Sequence, residues 1–318
     1  CWQGIVLSCL ESVLAGAFYF LSVYFVDILH IDISTSGKMI SFYGLGTILG
    51  GYVGGRLSDR LSPTIVATIS LFIQGITFLA LIKVRQVEII AVDLFVLGIA
   101  TYTFITSNYV CVLSFCEGSE SNRLKAINIL SVASNLGIGF SSILIGELAY
   151  FGFQYVFFIS GILLFLLAIL ASNFKVRIIT DDKSKKKEQN DQAKNTQLSY
   201  KAAINYALLS LFFTGMIVSQ LSTTYSIYVK EAFPNLGIHA YAILFSLNTI
   251  LVICFQNYLV NKFSDKNIII MIGVGSFLIG LGMFVLNFSF IFLIALFSCI
   301  IYSVGEMIFF SMVQLVCY

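Results

Sequence analysis

The chain has 318 residues, of which 58% are hydrophobic and 11% charged, with a formal net charge of +2 and a mean hydropathy of +0.95. Soluble domains carry about 25% charged residues, so an aqueous core of this length does not hide so much apolar surface, and lipid is the solvent for most of the chain. With 2 Pro and 24 Gly, the composition suits long helices, and the short alternating segments of a β-barrel are absent.

A helix needs about 20 apolar residues to cross the hydrocarbon core of a bilayer. Ten such stretches follow one another, at 4–26, 38–57, 64–83, 89–113, 127–150, 153–174, 203–229, 238–260, 268–287 and 289–313. The first carries Glu11 and Tyr19. The second is striped with Gly46, Gly50 and Gly54 and runs into the charged turn Gly54-Gly55-Arg56-Leu57-Ser58-Asp59-Arg60. The fifth carries Asn135 beside a face of Ala133, Gly137 and Ser141. Small faces of this kind let helices pack closely, and in a rocking bundle they are also sliding surfaces.

Between the sixth and seventh stretches, Lys175–Lys201 holds eight basic and four acidic residues without apolar periodicity, the composition of a solvated linker. The seventh stretch carries Gln220 and Tyr225, and the eighth carries Asn248. A second turn of basic-apolar-Ser-Asp-basic form, Lys262-Phe263-Ser264-Asp265-Lys266, then follows. The tenth stretch holds Glu306 in its middle.

The linker at 175–201 divides the chain into a six-helix bundle at 1–174 and a four-helix bundle at 202–318, and a Ser-Asp turn follows the second helix of each set. Thr47-Ile48-Leu49 and Ser22-Val23-Tyr24 have echoes in Thr249-Ile250-Leu251 and Ser226-Ile227-Tyr228. A parallel two-bundle repeat places a solute site between its halves near the bilayer midplane. On this pattern the second half lacks two helices. With Cys1 in place of a methionine and Tyr318 inside an apolar run, the chain reads as incomplete at both ends, and either a fragment or an inactive remnant fits.

Lys and Arg number fourteen in the loops after even helices and the linker, against four after odd helices. By the positive-inside rule the linker and the C-terminal end are cytoplasmic, and the bundle is a multi-pass protein of an inner or plasma membrane. No P-loop, Ser/His/Asp set, dinucleotide-binding turn or metal-ligand spacing occurs, and the 7 Cys are scattered singly. An enzyme, a cofactor, a bound metal and nucleic-acid binding are therefore not expected. The expected partners are lipid, a small-molecule solute and protons, with the chain working as a monomer.

An ionised carboxylate deep in a membrane helix costs several kcal/mol, so it is protonated, paired or facing water. Glu306 and Glu11 are accordingly the candidate proton-coupling residues. Asn135, Gln220 and Asn248 are polar amides in apolar helices, and with Tyr19 and Tyr225 they are candidates to line a solute cavity.

The turn Gly55-Arg56-Leu57-Ser58-Asp59-Arg60 resembles the motif G-x-L-[SA]-D-R-x-G-R-[RK] of the major facilitator superfamily, matching its first half; the resemblance in hydropathy covers essentially the whole chain. It implies an all-α membrane protein of two bundles with ten of twelve helices present, alternating access to a central site, and a gating role for Gly55, Arg56, Asp59, Arg60 and Asp265. Asp59 would accept N–H bonds at a helix N-terminus of the other half, where the dipole favours an anion. Within the superfamily, Tyr43-Gly44-Leu45-Gly46, Arg123, Ala126 and Gly305-Glu306-Met307-Ile308 are similar to the drug/proton antiporters, including MdtH-like and LmrP-like exporters. Asn135-Leu136-Gly137, Gly305-Glu306, Gln220 and Thr223-Thr224 are similar to the proton-coupled oligopeptide symporters. The exporter branch is preferred, since the symporters' ExxER motif is absent from the first helix.

Overall fold

A computed structural model describes residues 2–115, 120–173, 206, 209–222, 224–263 and 266–317. The linker at 175–201 and the turn residues Ser264 and Asp265 lie outside the described residues. All regular structure among the described residues is helical. In chain order the helices are α1 (Trp2–Ile28), α2 (Ile33–Arg60), α3 (Pro63–Ala80), α4 (Val87–Leu113), α5 (Glu120–Phe151) and α6 (Phe153–Ser172). There follow α7 (Leu209–Leu221), α8 (Thr224–Ala232), α9 (Ile238–Phe263), α10 (Ile268–Leu286) and α11 (Phe292–Cys317).

Eight helices among the described residues are long and apolar enough to cross a membrane, fewer than the ten stretches predicted. The second, α2, has ample length at 28 residues, but its glycines and polar residues dilute its apolar character. The seventh stretch is described as α7, which ends in a 3₁₀ turn at Ser219–Ser222, and α8, with residue 223 between them outside the described residues. One boundary also moves. Helix α2 begins five residues before the predicted start because Asp32 caps it, accepting the Thr35 backbone N–H at 2.9 Å; Lys38 lies within the helix. Helix α1 is not uniform: it tightens to a 3₁₀ turn at Gly16–Phe20 and widens to a π turn at Tyr24–Ile28. Such departures inside a helix often mark functional positions.

Apolar side chains gain little from leaving lipid for a helix interface, so backbone packing and interhelical hydrogen bonds hold this fold. Helix α2 lies directly on α4. A Cβ at Gly46, Gly50 or Gly54 would strike the backbone at Phe95, Ile99 or Thr103, and one at Gly98 would strike the Tyr43 carbonyl. The Thr103 hydroxyl crosses this seam to donate to the Gly50 carbonyl at 3.1 Å. Helix α1 lies on α5 in the same way, with Gly137 against the Cys9 backbone. Helices α3 and α6 meet through Gly75 and Gly161. Large side chains such as Ile48, Phe72 and Phe140 point outward as the lipid-facing surface. Gly152, at φ 132°, makes the break between α5 and α6 that a β-carbon would oppose.

By internal packing the chain falls into two compact units, Cys1–Ile178 with Leu221–Thr249, and Ile179–Gln220 with Ile250–Tyr318. The first therefore contains α1–α6 together with α8 and the start of α9. In the second, α10 and α11 pack around Ile272, Ile279, Phe309 and Met312. Helix α7 joins them, its Ser210 and Thr214 hydroxyls each 3.0 Å from the Ser276 hydroxyl.

Candidate functional site

The interior of the first unit carries a polar cluster on otherwise apolar helices. Glu11 on α1 is 3% exposed, and Gln74 on α3 is fully buried. The Gln74 amide and the Ser12 hydroxyl face the Glu11 carboxyl, and no cation among the described residues does so. Tyr43 on α2 stands in the same neighbourhood, with Thr101 and Tyr102 of α4 and Tyr19 of α1 around it. Closer to the Arg60 end of the unit, Asn108 of α4 donates to the Gly4 carbonyl and the Ser8 hydroxyl of α1, both at 2.8 Å. Polar side chains thus bridge α1, α3 and α4, where glycine seams do not.

At the end opposite the Arg60 turn, α8 and α9 dock on α1 and α5. Lys230 of α8 forms an ion pair with Asp27, in the π turn of α1. Ser142 and Ser246 share a hydrogen bond of 2.8 Å, and Gly139 lies against Thr249. His239 Nδ1 stands 3.9 Å from Glu147 Oε1, a pair only when the imidazole is protonated. Aromatic rings fill the space between. Tyr19 packs on Phe245 (4.8 Å between centroids), Phe245 on Tyr241 (5.5 Å), and Tyr241 on Tyr225 (5.9 Å). The Tyr241 hydroxyl donates to the Leu221 carbonyl at 3.0 Å.

The structure brings some of the sequence-predicted residues together and separates others. Tyr19 and Tyr225 belong to one aromatic chain through Phe245 and Tyr241. Asn248 is buried on α9. Asn135 is half-buried and donates to the Ser131 carbonyl of its own helix at 3.0 Å. Gln220 is exposed and reaches back to Met216 at 3.4 Å. Glu306 lies half-buried on α11 in the second unit and is not left without a partner.

The predicted turn is the helical end of α2 in the structure; there Gly55 is half-buried, while Arg56, Asp59 and Arg60 are exposed. The Arg56 guanidinium donates to the Tyr52 hydroxyl and lies 5.6 Å from the centre of that ring. Arg60 in the last turn complements the α2 dipole, whereas Asp59 opposes it by about 0.3–1 kcal/mol. Asp265, its predicted counterpart, lies outside the described residues. Gln74, Asp27 and Lys230 were not singled out from the sequence. Gln74 carries the same signal as Asn135, Gln220 and Asn248, an amide inside an apolar helix, while the two ion-pair members are 203 residues apart.

A bundle of membrane-length helices with a buried carboxyl and a chain of aromatic rings in its interior has the build of a membrane transporter. Residues 4–318 match the Major Facilitator Superfamily, and the chain belongs to that family, one of transporters rather than enzymes. A Bacillus subtilis (strain 168) protein, the uncharacterized MFS-type transporter YttB, is 28% identical over 194 residues, 58% of this chain and 46% of that protein. The chain thus matches a little under half the length of this curated relative.

Among solved structures, the nucleoside transporter NupG superposes with a TM-score of 0.73 at 15% identity, covering 97% of this chain and 79% of that one. A bacterial homologue of the human drug peptide transporters PepT1 and PepT2 gives 0.75 at 16%, covering 99% and 83%. A D-xylose-proton symporter gives 0.65 at 18%, covering 97% and 79%. At these identities the likeness is one of fold.

Proposed function

We propose that the chain acts in a secondary transporter that moves a small organic solute by alternating access, driven by the proton gradient, and exports amphipathic compounds. The observation that carries this reading is Glu11, a carboxyl 3% exposed in a membrane helix with neutral amide and hydroxyl groups in front of it. Without a fixed countercharge, its ionised form is costly in that interior, and loading and unloading a proton is the chemistry open to it. Glu306 is the second coupling residue. Tyr19, Tyr225, Asn135, Gln220 and Asn248 serve the solute path, and an aromatic lining suits amphipathic cargo. Arg56, Asp59 and Arg60, with Gly55 and Asp265, form the gate. The monomeric protein sits in the inner or plasma membrane with its linker and C-terminal end cytoplasmic.

Proteoliposomes with an imposed pH gradient test this. Efflux of an amphipathic cationic dye should follow the gradient and be lost in Glu11→Gln and Glu306→Gln. Gradient-driven flux that survives both substitutions refutes the coupling assignment. Asn135-Leu136-Gly137 and Gly305-Glu306 favour a second reading, proton-coupled di- or tripeptide uptake. Dipeptide accumulation without dye efflux would select it.

A further inference from the structure

Gln74 is the polar group that most lacks an explanation in its own helix. Its neighbours one turn away are committed to the backbone: the Ser70 hydroxyl donates to the Val66 carbonyl at 2.8 Å, and the Thr77 hydroxyl to the Gln74 carbonyl at 2.8 Å. The Gln74 side-chain amide has neither use. It is fully buried, and neither its oxygen nor its nitrogen closes a hydrogen bond. Across the bundle it faces Glu11, whose Oε1 is likewise buried and unbonded. Each buried polar group left unmade costs about 1–3 kcal/mol. A methionine of similar length would fill the same space without that cost.

An amide differs from every other neutral side chain in offering two donors and an acceptor at one planar head. Its NH₂ can donate to a carboxylate, and its oxygen can accept the O–H of a carboxylic acid. The terminal torsion of glutamine is broad and roughly two-fold, so rotation about it exchanges the two. The other group facing Glu11 is the hydroxyl of Ser12 on α1, and the Tyr43 hydroxyl of α2 stands in the same neighbourhood. Among the described residues no lysine, arginine or histidine faces it.

We propose that Gln74 is the positioning residue of the Glu11 proton site, its amide turning to donate to the ionised carboxyl and to accept from the protonated one. The inference rests on the proton-coupling reading of Glu11 and deepens it. Helix α3 thereby takes part in coupling by facing α1 with one side chain. A change in the protonation of Glu11 then alters a bond between these two helices.

Infrared difference spectra of the purified full chain in lipid nanodiscs, recorded across a pH titration, test the proposal without a cargo. The carbonyl band of protonated Glu11 is the one that disappears in Glu11→Gln. In Gln74→Met this band should move to higher frequency, because its carboxyl has lost a hydrogen bond. Its titration midpoint should rise by about half a pH unit or more, because the lost bond to the charged carboxylate is stronger than the lost bond to the neutral acid. An unmoved band and midpoint would overturn the role of Gln74. Absence of any Glu11-dependent band would instead overturn the coupling reading beneath it, so the two failures are distinct.

If Gln74→Met does not fold, Gln74→Asn, which withdraws the amide by one methylene, must give the same upward movement, and an unmoved band there is equally fatal. In a Glu11→Gln background, Gln74→Met should leave the pH dependence of thermal unfolding unchanged. With Glu11 in place the same substitution should change that pH dependence, whereas a purely structural glutamine would shift unfolding equally at every pH in both backgrounds.

Discussion

The seam between α2 and α4 and the seam between α10 and α11 solve one packing problem in two ways. In the first, three glycines at four-residue spacing on α2 meet the α4 backbone, and Gly98 answers from the other side. In the second, the small residues are divided between the partners: Gly275 and Gly282 on α10 face Phe309 and Tyr302, while Gly305 on α11 faces Ile279 and Gly275. Each seam is crossed by a hydroxyl that donates to a glycine carbonyl. Thr103 bonds Gly50 at 3.1 Å, and Ser298 bonds Gly282 at 2.8 Å. Close approach exposes a carbonyl that a neighbouring helix can then use. Both seams are close backbone approaches, but in the first the glycines lie mainly on α2, at three successive turns, whereas in the second they are shared between α10 and α11 and meet Cβ as well as backbone atoms of the facing helix.

The largest effect should come from filling these spaces. Gly50→Leu or Gly98→Val would drive a side chain into the facing carbonyl, and neither backbone can withdraw without moving a whole helix. Overpacking of a tight core costs about 1–3 kcal/mol, occasionally more. Loss of monodisperse protein and a lowered thermal midpoint are expected. Gly282→Ala meets Tyr302 Cβ at 2.6 Å and its backbone nitrogen at 2.7 Å, so it should also destabilise. If Gly282→Ala is tolerated while Gly50→Ala is not, the α10–α11 seam is the more plastic of the two.

Removing the crossing hydroxyls should cost less. Thr103→Val and Ser298→Ala each delete one interhelical hydrogen bond, worth about 0.6 kcal/mol on average within a membrane bundle. Equal losses at the two sites, read as shifts in the thermal midpoint, would make the seams equivalent at this level. A control lies on the other face of α2. A Cβ at Gly51 meets nothing within 4 Å, so Gly51→Ala should change stability by no more than about 0.5 kcal/mol. A large loss there would mean that α2 packs on a further surface.

These contrasts also show what could be read from the chain alone. The stripe of Gly46, Gly50 and Gly54 is visible because its period is that of a helix and all three members share one strand of sequence. The α10–α11 seam is invisible in that way, since Gly305 acquires meaning only when set against Gly275, on another helix. Glu11 was legible because a carboxyl amid apolar residues breaks the pattern of a membrane span. Gln74 is an amide in an apolar span just as Asn135, Gln220 and Asn248 are, but its meaning depends on Glu11, a partner on a helix that is not its sequence neighbour. The early start of α2 was missed for a related reason: Lys38 marks a polar boundary in hydropathy, whereas the Asp32 cap acts through one backbone N–H.

The same two seams begin with different caps, and the difference is testable by pH. Helix α2 starts at Asp32, whose carboxyl is held below its ordinary range by bonds from Thr35, first from its hydroxyl and then from its backbone N–H. Helix α10 starts at Asn267, whose Oδ1 accepts the backbone N–H groups of Ile269 and Ile270 at 3.1 and 3.4 Å. A depressed folded-state value means that the cap contributes fully above the ordinary aspartate value of about 3.9. The contribution is lost as pH falls through the lower folded value, when the carboxylate is protonated. The asparagine cap does not titrate. In acid, hydrogen exchange at the Thr35 amide should therefore accelerate beyond its intrinsic pH dependence, while exchange at Ile269 and Ile270 should not. Asp32 is fully exposed, so this is the smallest of the expected effects and solvent screens much of it. Asp32→Asn should remove the extra pH dependence and make the start of α2 behave as that of α10 does. If the acid-induced difference persists in that variant, it arises from another group near the start of α2, and the two caps are equivalent.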